Sequence, residues 1–74
     1  MQITVKLYLT FRLGRFANQV LACPPDATAS HLAQRLGIPD TEIGLILINT
    51  HQAELEQHLV EGDTIALFPI VGGG

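Results

Sequence analysis

Apolar and polar residues alternate at both ends of the chain, a pattern that is typical of half-buried β-strands. At the start, MQITVKLYLTF has an apolar face, formed by Ile3, Val5, Leu7 and Leu9. The other face is mixed and is formed by Thr4, Lys6, Tyr8 and Thr10. Near the end, TIALFPI alternates in the same way, with Ile65 and Leu67 inward and Ala66 and Phe68 outward. Pro69 has no N–H to donate to a ladder, so the last strand should end there. We predict that each of these strands turns its apolar face toward the core and that Leu9, which lies on that face, is buried in the core.

The first strand should form a hairpin with the segment that follows it. Gly14, in RLGR, can adopt the left-handed backbone that a tight turn needs. A second strand from Ala17 to Cys23 would then pair with the first strand in antiparallel fashion. Its alternation directs Leu21 and Cys23 inward, so we expect Cys23 to be a buried and unreactive thiol.

One short helix is predicted in PPDATASHLAQRLGIP. The hydroxyl of Thr28 can accept a hydrogen bond from an orphan backbone N–H, which makes Thr28 the expected N-cap. Leu32 and Leu36 lie four residues apart and therefore share a face. Gly37 suits the left-handed residue that often follows a helix. A helix of about two to three turns is marginal alone, so it should pack on the sheet.

The segment IGLILINT predicts a third strand that is apolar on both faces, because every residue from Leu45 to Ile48 is apolar. One face should meet the helix, and the other would be bare in a two-layer domain. Asn49 and Thr50 then supply turn chemistry. HQAEL offers a short edge strand, and EQHLVEGD a connecting segment that Leu59 anchors.

The predicted order is therefore strand, strand, helix, strand, short strand, strand. This order is typical of an α+β domain in which a mixed sheet of four to five strands wraps one helix. The first and last strands are most easily placed side by side and parallel at the centre of the sheet. We predict one domain over residues 1–71, followed by a flexible glycine tail at residues 72–74.

Composition and charge argue against several classes of function. The 74 residues carry a formal net charge of −3, which is a poor match to nucleic acid. The longest apolar run, Gly44 to Ile48, is far too short to cross a bilayer, and no secretion leader is recognisable. A single cysteine allows no internal disulfide. We expect a cytoplasmic protein with no membrane or nucleic-acid partner.

No set of side chains has the spacing of a catalytic or metal site. His31, His51 and His58 fall on a helix, a turn and a loop, so we expect them to be exposed and to bind no metal. The carboxylates flank turns and are expected to be solvated loop charge, namely Asp40, Glu42, Glu54, Glu56, Glu61 and Asp63. Because no autonomous active site is visible, enzymatic activity of the chain by itself stays open.

The glycines at residues 72–74 suggest another kind of site. Backbone without Cβ atoms can enter a channel that is too narrow for any side chain, and Gly74 would present an α-carboxylate there for a second enzyme to activate. An outward Phe68, with Leu47 or Leu45 from the neighbouring strand, would offer that enzyme an apolar docking patch. We predict docking residues Phe68, Leu47, Leu45 and Gly72.

These segments resemble the ubiquitin-like sulfur carriers, most closely the small subunit of molybdopterin synthase. EGDTIALFPIVGGG is similar to the ending of that family, with a Gly-Asp turn, an alternating strand, Phe-Pro and a Gly-Gly stop. ITVKLYLTFR resembles the first strand, ATASHLAQRLGI the capped helix and LINT the usual Val-Asn-Gly turn. Thr50 departs from the usual glycine, and Pro-Ile-Val-Gly departs from Pro-Pro-Val plus a small residue. The resemblance covers essentially the whole chain and implies a ubiquitin-like β-grasp fold.

The resemblance also implies a defined chemistry. An adenylating enzyme of the ubiquitin-activating type would use ATP to convert the Gly74 carboxylate into an acyl-adenylate, and a persulfide source would then give a thiocarboxylate. Gly73 and Gly74 would form the reactive diglycine, and the chain itself would bind no cofactor. The tail would insert into the large subunit of molybdopterin synthase, or into another sulfur acceptor, which supplies the catalytic lysines.

Three alternatives stay open. A sulfur carrier for thiamine synthesis or tRNA thiolation would use the same chemistry, and a protein modifier would join Gly74 to lysines of target proteins. A non-covalent interaction module would leave the tail inert. The Phe-Pro ending favours the molybdenum or tungsten pathway, because thiamine-pathway carriers often lack it.

Overall fold

The computed structural model describes residues 1–71, which form five strands and one α-helix. Their bounds are β1 (Gln2–Leu7), β2 (Asn18–Ala22), α1 (Ala29–Arg35), β3 (Ile43–Ile48), β4 (His51–Gln52) and β5 (Thr64–Pro69). Two short 3-10 helices lie at Leu9–Arg12 and Asp40–Glu42. The predicted order of elements is confirmed, and the glycine tail predicted at residues 72–74 lies outside the described residues.

The strands form one mixed sheet in the order β2-β1-β5-β3-β4. Strands β1 and β5 are parallel neighbours at its centre, with Val5 opposite Ile65. Strand β2 pairs antiparallel with β1, and β3 pairs antiparallel with β5. The predicted hairpin and the predicted central parallel pair are both confirmed. Strands β1 and β5, which have the most regular alternation, therefore each have a hydrogen-bonded neighbour on both sides.

Helix α1 covers one face of this sheet. Val5 and Leu7 of β1 and Ile65 of β5 are fully buried, and they belong to the same core cluster as Leu32 and Ala33 of the helix. Burial of an aliphatic side chain of this size stabilises a fold by about 1.5–3 kcal/mol. The alternation of the two central strands therefore supplies apolar surface on which the helix packs.

The helix has only seven residues, and both of its ends are capped. The Thr28 hydroxyl accepts a hydrogen bond from the His31 backbone N–H at 3.2 Å, and His31 Nδ1 accepts one from the Thr28 N–H at the same distance. Gly37 follows the helix with φ +75°, as predicted. Arg15 Nε also donates to the carbonyl oxygen of Leu36 at 2.8 Å, which satisfies one of the orphan acceptors at the helix end.

The prediction for Leu9 was wrong. Strand β1 ends at Leu7, and the 3-10 helix that follows replaces the extended backbone on which the alternation depends. Leu9 has φ +54° and is 58% exposed. Phe11, two residues later, occupies the core instead.

The prediction for Asp63 was also wrong. Its carboxylate is buried and accepts hydrogen bonds from the Val60 backbone N–H at 2.9 Å and from Asn49 Nδ2 at 2.8 Å. Asn49 Oδ1 in turn accepts from the Thr64 backbone N–H at 3.0 Å. Val60 is only three residues from Asp63, but the turn after β3 and the loop before β5 meet only in the folded chain, so the contact with Asn49 has no local signal.

The remaining groups that could carry chemistry are dispersed. His31, His51 and His58 are exposed and Cys23 is buried, as predicted. Over residues 1–71, the structure brings together no three His, Cys, Asp or Glu side chains that could hold a metal ion. In the same range, the helices are all too short or too polar to span a membrane.

Candidate docking site beside the end of the last strand

The outward face of the sheet carries an aromatic stack at the end of β5. The rings of Tyr8 and Phe68 lie with their centroids 4.3 Å apart and their planes 9° from parallel. The Tyr8 backbone N–H donates to the carbonyl oxygen of Leu67 at 3.2 Å, which continues the β1–β5 ladder beyond the last residue of β1 and aligns the two rings. Because of this stack, Phe68 is half-buried instead of fully exposed.

Two cationic side chains border the stack. The guanidinium carbon of Arg12 lies 5.3 Å from the centroid of the Tyr8 ring, and its Nε donates to the carbonyl oxygen of Leu7 at 2.7 Å. Lys6 precedes Tyr8 by two residues and shares its outward face. The Tyr8–Phe68 stack is thus fixed on the β1 side by a cation over an aromatic ring, and this border of the site is positive.

The chain that leaves β5 is held close to the start of β3 by a glycine. The β3–β5 register shifts between Ile43 and Leu45, so Gly44 occupies a β-bulge. A Cβ atom on Gly44 would lie 2.9 Å from the Ile70 Cα atom and 2.9 Å from the Pro69 carbonyl oxygen. Both are backbone atoms, so a side chain at position 44 would force the strands apart. The Ile70 N–H donates to the carbonyl oxygen of Glu42 at 3.0 Å and fixes the direction in which the chain continues.

An open apolar groove of about 380 Å³ lies between the stack and this segment. Its lining, which defines the Phe68 groove, consists of Leu9, Gly44, Leu45, Phe68, Pro69, Ile70 and Val71. Leu9, Ile70 and Val71 are 58%, 63% and 69% exposed, and they are three of the six large apolar side chains that residues 1–71 leave exposed. Such a concentration of apolar surface is typical of a site for a protein partner.

The groove can bind but cannot catalyse. None of its lining side chains carries a hydroxyl, thiol, imidazole, amine or carboxylate, so it has no nucleophile and no acid or base. Leu9 reaches it only through left-handed backbone, which costs a residue with a Cβ atom about 1–2 kcal/mol.

The structure brings together some of the predicted docking residues and not others. Leu45 lies directly opposite Phe68 in the β3–β5 pair, and both line the groove. Leu47 faces the same side of the sheet but lies opposite Ala66, farther from the end of β5. The remaining predicted site residues, Gly72, Gly73 and Gly74, lie outside the described residues.

The predicted docking set left out six residues of the stack and the groove lining, and two of them had a usable signal. The six are Tyr8, Leu9, Gly44, Pro69, Ile70 and Val71. Tyr8 was predicted outward on a strand parallel to β5, so its contact with Phe68 followed from two correct predictions taken together. A glycine inside an apolar strand often marks a bulge or a close backbone approach, which is the case for Gly44. Leu9 had no such signal, because the alternation directs it inward. Ile70 also had no signal, because the alternation of the last strand is predicted to end at Pro69.

The sequence matches one known protein family but no curated protein. The family model described as Mut7-C ubiquitin matches residues 4–72, which is nearly the whole chain.

Solved structures of several proteins share the fold. Small archaeal modifier protein 1 from Haloferax volcanii is 23% identical over 95% of this chain and 98% of that one, with a TM-score of 0.75. Putative molybdopterin converting factor subunit 1 from Pyrococcus furiosus is 21% identical over 96% and 99%, with a TM-score of 0.75. Molybdopterin-converting factor from Helicobacter pylori, solved as a complex of subunits 1 and 2, is 23% identical over 100% of both chains, with a TM-score of 0.67. These likenesses confirm the ubiquitin-like β-grasp fold.

Proposed function

The chain belongs to the Mut7-C ubiquitin family, and from that premise we propose that it is a sulfur carrier for molybdopterin synthesis whose working group is the Gly74 carboxylate. The observation that supports the proposal most strongly is the Phe68 groove, which ends on Ile70 and Val71 directly before the glycines. A partner protein seated in that groove would receive the following glycines beside its own catalytic groups. The proposal requires that Gly74 carry a free carboxylate in the active protein.

The proposed reaction has three balanced steps, all performed by partner enzymes. A carboxylate oxygen of Gly74 attacks the α-phosphate of ATP, which forms an acyl-adenylate and releases pyrophosphate. The terminal sulfur of an enzyme persulfide then displaces AMP and forms an acyl disulfide. A thiol cleaves that disulfide, which leaves the Gly74 thiocarboxylate and an oxidised disulfide on the enzyme. Gly73 contributes backbone that passes through the narrow part of the partner's channel.

Two partners are proposed to use the groove in turn. The adenylating enzyme would load the sulfur, and the large subunit of molybdopterin synthase would accept it, each contacting Phe68 and Leu45. Leu47 and Gly72 would extend the contact along the sheet and into the tail. The Helicobacter pylori protein was solved as a complex of two subunits, which supports an arrangement of this kind. The chain would bind no cofactor, ATP would be bound by the activating enzyme, and the reaction would take place in the cytoplasm.

A second candidate function is protein modification. One structural neighbour is named as a small archaeal modifier protein, and it shares the fold over nearly its whole length. A modifier would pass through the same acyl-adenylate, but the acyl group would be transferred to a lysine amine instead of to sulfur. Carriers of sulfur for thiamine synthesis or tRNA thiolation would differ only in the acceptor enzyme.

Intact mass spectrometry separates these candidates. The protein is incubated with the adenylating enzyme from the same source, ATP, a persulfide donor and a thiol. The proposal predicts a gain in mass equal to the exchange of one oxygen atom for sulfur, located at Gly74 by fragmentation. Conjugates to lysines without that exchange would favour the modifier. Sulfur that passes to a thiazole-forming enzyme but not to a precursor pterin would overturn the molybdopterin assignment.

Matched variants test the role of the groove. Phe68→Ala should reduce the rate of thiocarboxylate formation at limiting enzyme by about tenfold or more, because a central aromatic contact is often a hot spot. Val60→Ala is the control, since Val60 is also exposed but lies outside the groove. Deletion of Gly73 and Gly74 together should abolish the reaction, because the shortened chain no longer ends in two glycines. If the protein lacking both residues were still loaded with sulfur, the proposed chemistry would be wrong.

A further inference from the structure

Leu9 combines two features that are each unfavourable for folding. Its backbone has φ +54°, a region that glycine and asparagine tolerate far better than leucine. Its side chain is 58% exposed, so the folded chain gains little from burying it. A residue that is poorly suited to its backbone and poorly buried is a candidate for a role other than stability.

The need for a turn at this point does not explain a leucine. The backbone must leave β1 so that Phe11 can enter the core, and a left-handed residue at position 9 makes that possible. Glycine would adopt the same backbone without strain, and asparagine would do so at a lower cost. The same molecule has asparagine at Asn49, where φ is +51°, and threonine at Thr50, where φ is +71°, and neither of these side chains is a large apolar group. The turn therefore accounts for the backbone angle but not for the large apolar side chain.

The left-handed backbone turns Leu9 out of the core and into the lining of the Phe68 groove. Ile70 and Val71 belong to the same lining, immediately before the glycines. A leucine at position 9 thus adds apolar surface to the groove, whereas glycine or asparagine would leave this part of the lining small or polar.

We infer that Leu9 is a specificity-determining contact, which holds an apolar side chain of the adenylating enzyme in the Phe68 groove during activation of Gly74. This inference rests on the proposed function. The side chains that line the groove are all apolar, which suits an apolar inserted group. Arg12 lies in the same 3-10 helix as Leu9, and Lys6 shares the outward face of β1. The complementary surface is therefore an apolar side chain with carboxylates on the flank that faces β1.

Steady-state kinetics of ATP–pyrophosphate exchange test this inference. The wild-type protein, Leu9→Asn and Leu13→Asn are compared as substrates of the adenylating enzyme from the same source. Leu13 is the matched control, because it is 72% exposed in the same loop but does not line the groove. Leu9→Asn should raise the KM for the carrier about tenfold, as for the loss of a well-packed interface anchor, with little change in kcat. Leu13→Asn should leave both constants at the wild-type values.

Thermal unfolding of the same three proteins separates recognition from folding. Leu9→Asn should unfold at or above the wild-type temperature, because asparagine tolerates the left-handed backbone better. A lower unfolding temperature for Leu9→Asn, or equal KM values for Leu9→Asn and wild type, would overturn the inference while the proposed function stands. A change in self-association without a change in KM would also overturn it, and would assign the groove to a second copy of the chain. If the wild-type protein supports no exchange at all, the proposed function and the inference both fail.

Discussion

Over residues 1–71, two corners place non-glycine residues in left-handed backbone, one at Leu9 and the other at Asn49 and Thr50, and only Asn49 forms side-chain hydrogen bonds there. At the Asn49 corner, the side chain of Asn49 donates to Asp63 and accepts from the Thr64 backbone N–H. At the Leu9 corner, an aliphatic side chain can form no hydrogen bond and is largely exposed. The first corner closes the sheet between β3 and β5, and the second borders the Phe68 groove.

The two corners therefore differ in what the strained residue does: one stabilises the fold, and the other places an apolar side chain on the surface. The Asn49 corner joins the turn after β3 to the loop before β5, and hydrogen bonds inside the domain offset the left-handed backbone of Asn49. The Leu9 corner gives a large apolar side chain to a groove, where its contact is completed only if a partner binds. Substitutions at the two corners should therefore change stability in opposite directions.

The largest effect is expected from Asp63→Ala. The substitution removes the acceptor for the Val60 N–H and the Asn49 amide in a buried position, and hydrogen bonds to a charged group contribute about 1.5–3 kcal/mol each. We expect the free energy of unfolding to fall by about 3 kcal/mol, measured by urea denaturation at neutral pH. Glu56→Ala is the control, because Glu56 is exposed, and it should change stability by less than about 0.5 kcal/mol. Equal effects of the two substitutions would show that the buried carboxylate does not hold this corner together.

Gly44→Ala should have the next largest effect, on the groove side of the molecule. The new Cβ atom would meet backbone atoms of Pro69 and Ile70 at 2.9 Å, so the ends of β3 and β5 must separate. We expect a loss of about 2 kcal/mol in the free energy of unfolding, as for other overpacked sites. Hydrogen exchange should show faster exchange of the Ile70 N–H, because its bond to Glu42 would be broken.

The control for Gly44→Ala is Gly14→Ala. Gly14 has φ +70° with open space around it, so alanine there pays only the cost of left-handed backbone. It should lower stability without changing exchange at Ile70. An unchanged Ile70 amide in Gly44→Ala would contradict the view that Gly44 directs the chain beyond β5.

The smallest effects, and the sharpest test of the comparison, come from Asn49→Ala and Leu9→Asn. Asn49→Ala loses two hydrogen bonds and should lower the free energy of unfolding by about 1–2 kcal/mol. Leu9→Asn relieves part of the strain and should raise it by up to about 1 kcal/mol. Both can be measured by urea denaturation under one set of conditions. The same sign for the two changes would remove the distinction between the corners.

Most of the fold could be predicted from the sequence, whereas only two of the seven residues that line the groove, Leu45 and Phe68, were predicted docking residues. The Tyr8–Phe68 stack and the position of Leu45 follow from alternation and from the central pairing of the first and last strands. The contribution of Leu9 to the groove lining does not follow from alternation, because alternation applies only while the backbone stays extended. A glycine at position 44, inside an apolar strand, indicates a bulge or a close backbone approach. That the approaching backbone belongs to Pro69 and Ile70 depends on the register of β3 against β5.

The linear order of residues is enough for the strands, the capped helix and the outward direction of Phe68, because each depends on periodicity or on neighbours a few positions away. Three features required the folded chain, namely the burial of Asp63, the outward turn of Leu9 and the close approach of Ile70 to Gly44. Each of them joins segments that are distant in sequence or follows from how Phe11 fills the core. The position of the Phe68 groove is therefore a property of packing, and no local pattern in the chain contains it.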